Sequence, residues 1–399
     1  MKKVLEDFDF FDKKVFVRVD FNVPMKDGKI TDDLRMVEAL ETIKYLLGNN
    51  AKMILCSHLG RPKGAVDEKY SLKPVYEHLK QLLPSVKIFF AETFDFDKLR
   101  EQANNLNIGE ILLLENIRFL PGEEKNDESL SKNLASLADY YVFDAFGTSH
   151  RQHSSTYGIA KFIPSCMGKL MQKELGIFDE VLTNPSRPLV AVLGGAKIGD
   201  KLALTENLLS KVNTMLIGGG MCFTFIKALK GDVGKSLVDD SQVDFCYNVI
   251  KKAIQNKVRI VLPVDFVCAK GLEDKENIVV LKESQLSSDF MGLDIGPKTV
   301  KLFSKYIKRA KTLVWNGPMG AYEYDEFAQG TKLIAEKIAK NKKCKSVVGG
   351  GDVVSSIEKY GLQSGFYHIS TGGGASLMLL EGKTLPCYDV LQDQEGGNE

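Results

Sequence analysis

The chain has 399 residues, 44% of them hydrophobic and 26% charged, with a net charge of +1. That length and balance describe a globular protein of about two domains, and near-neutrality argues against nucleic acid or an acidic surface as partner, so any anion site must be local. No apolar run approaches the roughly 20 residues that span a bilayer, and the start at Met1–Phe8 lacks an apolar stretch, so no membrane partner and a cytoplasmic location are expected.

Short β-branched runs alternate with helical patterns along the whole chain. The first half predicts strands over 15–21, 53–57, 87–91, 111–115 and 141–145; the second predicts them over 189–193, 214–217, 259–264, 312–315, 345–348 and 366–369. Several are continuously apolar, which suits strands covered on both faces. Between them, Thr31 is expected to cap a helix carrying Met36, Leu40, Ile43 and Leu47, and Ser71 one carrying Leu72, Val75, Leu79 and Leu82. A helical pattern over 169–183 stops at Asn184-Pro185 midway along the chain and reads as an interdomain helix. The fold class is α/β. Seven scattered cysteines without a C-x-x-C pair read as buried, reduced thiols.

Ligands of open parallel sheets sit at the carboxyl ends of strands. In the first half those ends read Asp20-Phe21-Asn22, Ser57-His58-Leu59-Gly60-Arg61, Glu115-Asn116-Ile117-Arg118 and Asp144 through Arg151. Six of the nine arginines lie in the first 151 residues. Guanidinium forks and amides at four strand ends imply a small, multiply anionic ligand. In the second half the strand ends are glycines: Gly194-Gly195, Gly218-Gly219-Gly220, Gly349-Gly350-Gly351-Asp352 and Gly372-Gly373-Gly374. Bare helix starts suit a polyphosphate, Lys197 and Lys201 add charge, and Asp352 beside them suits Mg²⁺, which prefers oxygen ligands. The stretch 231–236 lacks the first glycine of a P-loop, and 192–201 is not the dinucleotide fingerprint, which leaves an NAD-dependent dehydrogenase weakly supported.

Arg18-Val-Asp-Phe-Asn-Val-Pro24, Ser57-His-Leu-Gly-Arg-Pro62, the 192–202 stretch, Gly292-Leu-Asp-Ile-Gly-Pro297, Trp315-Asn-Gly-Pro-Met-Gly320, Gly349 to Asp352 and Ser370-Thr-Gly-Gly-Gly-Ala-Ser376 together resemble the phosphoglycerate kinase family, from about residue 15 to about residue 386. The resemblance implies two Rossmann-like domains, each a mostly parallel sheet flanked by helices. Residues 1–168 would bind 3-phosphoglycerate or 1,3-bisphosphoglycerate, 169–186 would form the interdomain helix and hinge, 187–380 would bind Mg-ATP or Mg-ADP, and 381–399 would pack back on the first domain. It also implies a monomer that transfers phosphoryl groups in glycolysis by hinge closure.

By motif position, Asp20, Phe21, Asn22, Arg35, His58, Leu59, Gly60, Arg61, Arg118 and Arg151 would contact the glycerate. Gly194, Lys201, Gly218, Gly219, Gly292, Asn316, Pro318, Glu323, Gly350, Gly351, Asp352 and Val353 would contact the nucleotide, with Glu323 on the ribose and Asp352 on the metal. Arg35, Lys197, Gly351 and Gly373 would stabilise the group in flight. Two positions depart from the family: Val353 replaces the usual Thr or Ser, predicting a lost hydroxyl contact and weaker nucleotide binding, and Met378 replaces Glu.

Overall fold

The computed structural model describes residues 1–286 and 289–394, and two compact units divide the chain: Met1–Gly176 with the segment from Thr384 on, and Ile177–Lys383. In the first, strands β1 (Lys14–Val19), β2 (Met25–Lys26), β3 (Lys29–Ile30), β4 (Lys52–Cys56), β5 (Ile88–Ala91), β6 (Ile111–Leu114), β7 (Tyr140–Asp144) and β8 (Ser165–Met167) alternate with helices α1 (Leu34–Gly48), α2 (Lys73–Leu82), α3 (Phe96–Asn104), α4 (Glu128–Ala135) and α5 (Lys169–Thr183). Six strands form one parallel sheet in the order β5-β6-β4-β1-β7-β8. β1 is buried from Val15 to Val19, as a strand with helices on both faces must be.

In the second unit, β9 (Leu189–Leu193), β10 (Thr214–Ile217), β11 (Arg259–Val261), β12 (Asp265–Ala269), β13 (Val279–Lys282), β14 (Met291–Ile295), β15 (Thr312–Asn316), β16 (Lys345–Val348) and β17 (His368–Ile369) accompany α6 (Leu202–Leu209), α7 (Met221–Ala228), α8 (Val243–Gln255), α9 (Pro297–Arg309), α10 (Gln329–Lys340), α11 (Gly351–Lys359) and α12 (Gly374–Leu380). Its main sheet is parallel, ordered β11-β10-β9-β15-β16-β17. A short α13 (Pro386–Asp389) then returns to the first unit. Both parallel sheets reverse strand order beside their first strand, at β1 and at β9. Those carboxyl-end crevices are where such sheets bind ligands.

Some local expectations change. Thr31 does not cap α1: its N–H and hydroxyl both donate to Pro24 O, closing the β2–β3 hairpin, and α1 begins only after Asp33. The hairpin turns at Asp27 and Gly28, whose φ of 50° and 72° suit a two-residue primed turn. Ser71 lies one residue before the N-cap of α2, which is Leu72, although its Oγ still accepts the Lys73 N–H at 3.2 Å. The predicted strand 259–264 stops at Val261, and the next strand joins an antiparallel sheet ordered β13-β12-β14 that the periodicity did not predict.

Helix α5 runs over the predicted residues, and the division between units falls inside it, between Gly176 and Ile177. Within the first unit its start is fixed by Thr42, whose Oγ1 accepts the Lys169 N–H at 2.8 Å, and by buried Asp144, which accepts the Met171 N–H at 3.2 Å. The returning segment is tied to the N-terminus through Lys3 N–H to Gln392 O and Gln394 N–H to Met1 O, both 2.8 Å. Of the segment 381–399 expected to pack back on the first domain, residues 395–399 lie outside the described residues. All seven cysteines are buried and free.

Candidate functional site

At the carboxyl edge of the first sheet, the loops after β1, β4, β6 and β7 meet. Asp20 accepts from Arg35 NH1 at 2.7 Å and from the Asn22 N–H at 3.2 Å, and Asn22 Oδ1 accepts the Gly60 N–H at 2.8 Å. Arg118 NH1 donates to Gly60 O at 2.8 Å, while its Nε lies 3.3 Å from Glu124. Arg151 Nε donates to His150 Nε2 at 3.1 Å. Arg61 is exposed and has no hydrogen bond or ion pair among the described residues. The structure therefore gathers Asp20, Asn22, Arg35, His58, Gly60, Arg118 and Arg151. Phe21 and Leu59 share the loops, but both side chains belong to the apolar core, so only their backbone atoms face a ligand.

Arg18 is wholly buried beneath this edge, with Nη2 3.3 Å from His58 Nδ1. Burial first, then the fields of Arg18, Arg118, Arg35 and Arg151, hold the His58 pKa well below its ordinary 6.5. Burial, then Arg118, Arg18 and Arg151, hold His153 at about 3, and burial and Arg151 lower His150. Buried imidazoles beside four guanidiniums stay neutral, and the cluster keeps its positive charge for an anionic ligand.

Neutral histidines have a consequence for stability. Unfolded His58, His150 and His153 take up protons as pH falls through about 6.5 and the folded ones do not, so the first unit loses stability on acidification. Asp144 and Glu123, both raised by burial, offset part of this. In the second unit, burial raises Asp294 from 3.8 to about 7, so folding there gains a proton and stability over the same window. Going from about pH 7.5 to about pH 5.5 is expected to cost the first unit stability and to add about 1–2 kcal/mol to the second. Amide hydrogen exchange followed unit by unit measures both, and parallel shifts of the two would refute it.

The second unit carries a cleft of about 1000 Å³, open mouth included. Its rim is woven from glycine turns. Gly195 N–H donates to Pro318 O at 2.8 Å, Gly219 N–H to Met319 O at 3.1 Å, and Met221 N–H to Gly195 O at 3.1 Å, so the loops after β9, β10 and β15 lie backbone to backbone. Five expected nucleotide residues line the cleft: Gly219, Gly292, Pro318, Glu323 and Asp352. The sequence missed its apolar wall, which includes Phe223, Leu237, Leu272, Met291 and Leu293. Gly292 makes room for that wall, since a Cβ there would stand 2.3 Å from the Phe223 ring. No spacing signal marks Phe223, which shares α7 with a run of core residues.

The remaining expected residues stand beside the cleft. Gly194 and Gly218 extend the strand ladder, their N–H groups donating to Asn316 O and Leu193 O. Asn316 Nδ2 donates to Gly349 O at 2.7 Å, and Gly350, with φ 111°, turns the chain into α11. The N–H groups of Gly351, Asp352 and Val353 open that helix without intrahelical partners and carry its positive dipole end. Gly373, with φ 48°, does the same at α12.

The two lysines differ sharply. Lys201 Nζ donates to Asn316 Oδ1, and burial pushes its pKa down to about 8 despite the attraction of Asp352 and Asp200. Lys197 is exposed and has no hydrogen bond or ion pair among the described residues.

Val353 is wholly buried: its side chain packs in the core with Trp315, Ile334 and Val348, while its backbone N–H is one of the open donors at the start of α11. Nothing in the structure explains Met378. Asp352 is exposed, and among the described residues its carboxylate meets only Tyr322 Oη, at 3.4 Å. Among the described residues no cluster of three or more His, Cys, Asp or Glu could hold a metal. A lone carboxylate beside free helix N–H groups fits Mg²⁺ that arrives with phosphates and waters.

The phosphoglycerate kinase family model matches residues 5–383. The phosphoglycerate kinase of Pseudothermotoga lettingae is 50% identical over 399 residues, covering 99% of this chain and 100% of that protein. That of Finegoldia magna is 49% identical over 394 residues, covering 98% and 100%. Among solved structures, phosphoglycerate kinase from Coxiella burnetii aligns with a TM-score of 0.88 at 37% identity, and that from Pyrococcus horikoshii with 0.78 at 35%, each covering 98% of both chains.

Proposed function

From the premise that this chain belongs to the phosphoglycerate kinase family, and is therefore a phosphotransferase, we propose that it catalyses reversible, Mg²⁺-dependent phosphoryl transfer between 1,3-bisphosphoglycerate and ADP, giving 3-phosphoglycerate and ATP, in glycolysis. The observation that carries the reading is the contrast between the two sheet edges. One gathers guanidiniums around neutral His58, and the other lines a cleft with glycine turns and apolar side chains. The first suits a small polyanion; the second suits a nucleotide, its base on the apolar wall and its phosphates at helix starts.

In the ATP-consuming direction a carboxylate oxygen of 3-phosphoglycerate attacks the γ-phosphorus, and the bond to the β–γ bridging oxygen breaks, leaving that electron pair on ADP. The nucleophile is already ionised, so no proton moves and no general base is required. Positioning and charge stabilisation carry the rate. Arg35 and Lys197 neutralise the equatorial oxygens of the group in flight, with N–H groups at Gly351 and Gly373 as further donors. Glu323 takes the ribose, and Lys201 with Asn316 takes the nucleotide's phosphates. Asp352 would hold Mg²⁺, which supplies charge neutralisation to those phosphates when bound. Because each substrate belongs to its own unit, transfer requires the units to close on a flexible joint, which also excludes water from the reacting group. The enzyme acts as a cytoplasmic monomer.

A coupled assay with 3-phosphoglycerate, ATP and Mg²⁺ is expected to show turnover that Mg²⁺ chelation abolishes. No turnover would refute the assignment. Solution scattering is expected to show compaction only with both substrates present, and an unchanged radius of gyration in a doubly loaded, active enzyme would remove closure from the mechanism.

A further inference from the structure

Glu123 is a buried carboxylate that the proposed mechanism leaves unused. It lies in the loop before α4 with its side chain wholly buried. Its Oε2 accepts the Ser155 N–H at 2.9 Å and its Oε1 accepts the Ser155 hydroxyl at 2.6 Å. The same Ser155 Oγ accepts Arg18 Nε–H at 2.9 Å, and Ser155 sits in a single π-helical turn, Ser154–Gly158. Such turns are rare and cluster at functional sites. Arg18, held at Nε by Ser155 and at NH1 by Val19 O, presents NH2 to His58 Nδ1 at 3.3 Å.

This contact has a chemical consequence. A guanidinium can only donate. Nδ1 of neutral His58 must therefore accept, and its proton must sit on Nε2, the other edge of the ring. His58 lies among Arg35, Arg118 and Arg151 and beside Asp20, whose Oδ1 is 3.9 Å from Nδ1. The ring thus offers a fixed N–H where a neutral imidazole with unset tautomer would offer a lone pair part of the time.

We propose that Glu123 and Ser155 are positioning residues that hold Arg18 so as to fix His58 as the Nε2–H tautomer, aiming a hydrogen-bond donor at the anionic substrate of the arginine-lined edge. The relay runs Glu123, Ser155, Arg18, His58, each link a hydrogen bond between buried side chains. Bonds in such a chain polarise one another, which makes its effect at His58 larger than any one link would give. Neither Glu123 nor Ser155 touches the ligand. The proposal rests on the glycerate being bound at this edge, but the tautomer itself does not.

The test uses the intact protein with ¹⁵N-labelled histidine, and His58 assigned by comparison with His58→Ala. Long-range ¹H–¹⁵N correlation is expected to show one Nε2–H tautomer for His58 in the wild type and a mixture in Glu123→Gln and Ser155→Ala. The KM for 3-phosphoglycerate is expected to rise about five- to tenfold in both variants, with the KM for Mg-ATP within about twofold, since the nucleotide is held by the other unit. Ser155→Ala removes a single oxygen and keeps the test open if Glu123→Gln folds poorly. An unchanged tautomer in the variants overturns the proposal, and so does an altered tautomer with an unchanged KM. If His58→Ala also leaves the 3-phosphoglycerate KM unchanged, the assignment of glycerate to this edge has failed as well.

Discussion

Lys197→Ala is expected to lower kcat at least about a hundredfold, a loss of about 2.7 kcal/mol of transition-state stabilisation, while changing the KM for Mg-ATP by no more than about threefold. Lys197 stands exposed on the loop after β9, without a partner among the described residues, whereas its neighbour Lys201 is already bonded to Asn316. A cation bound to nothing in the free protein spends none of its charge on the fold. If it meets the phosphoryl group chiefly in flight, its loss falls on kcat and not on ground-state affinity. Arg35→Ala is expected to fall in the same range, but with a raised glycerate KM, because Arg35 also holds Asp20 at 2.7 Å and the substitution leaves that carboxylate unpaired beside the ligand. Steady-state kinetics with each substrate varied separates the two patterns. A kcat within about threefold of wild type for Lys197→Ala would remove Lys197 from the chemistry. Lys197→Arg keeps the charge but changes its reach, and should restore part of the rate.

The contrast between these lysines shows where sequence reading reached and where it stopped. Both were visible as charges four residues apart at a glycine turn, and so was the likeness of their setting to a phosphate site. Which of them is free was not visible, because that depends on Asn316, more than a hundred residues further on, arriving from an adjacent strand of the same sheet. The parallel strands were legible because both faces are buried and the runs are continuously apolar. The β12–β14 sheet was not: β13 alternates half-buried and exposed residues over only four positions, too short for period to stand out.

The arginines at strand ends were legible by residue type. Arg18 was not, because its role is decided by Ser155 and Glu123, which the topology brings beneath it from loops that carry no motif. Nor was the packing of Val353 legible: the third residue of α11, beside the glycine turn, has its side chain in the core with Trp315 and Ile334.

Gly219→Ala is expected to weaken ADP binding about tenfold to a hundredfold while leaving 3-phosphoglycerate affinity within about twofold. Gly219 sits at φ +62°, where a side chain costs about 1–2 kcal/mol. Space is the larger obstacle. A Cβ there would stand 2.6 Å from Gly195 N, 2.7 Å from Gly195 O and 2.8 Å from Pro318 O. All three are backbone atoms of neighbouring turns, so no flexible side chain can swing aside. The loops after β9, β10 and β15 must separate, and the hydrogen bonds of Gly195 and Gly219 that hold the cleft rim go with them. Strain plus lost backbone bonds amount to about 2–4 kcal/mol, divided between nucleotide affinity and the stability of the second unit. Titration calorimetry with ADP and with 3-phosphoglycerate, beside denaturant unfolding, reads each share.

Gly176→Ala is the control. That glycine lies mid-helix with nothing within 4 Å of the added carbon, so the change should stabilise α5 by about 0.5–1 kcal/mol and leave ADP affinity unaltered. If Gly219→Ala bound ADP as the wild type does, the woven turns would be mere chain economy, and the phosphate-binding role of the glycine rim would fall.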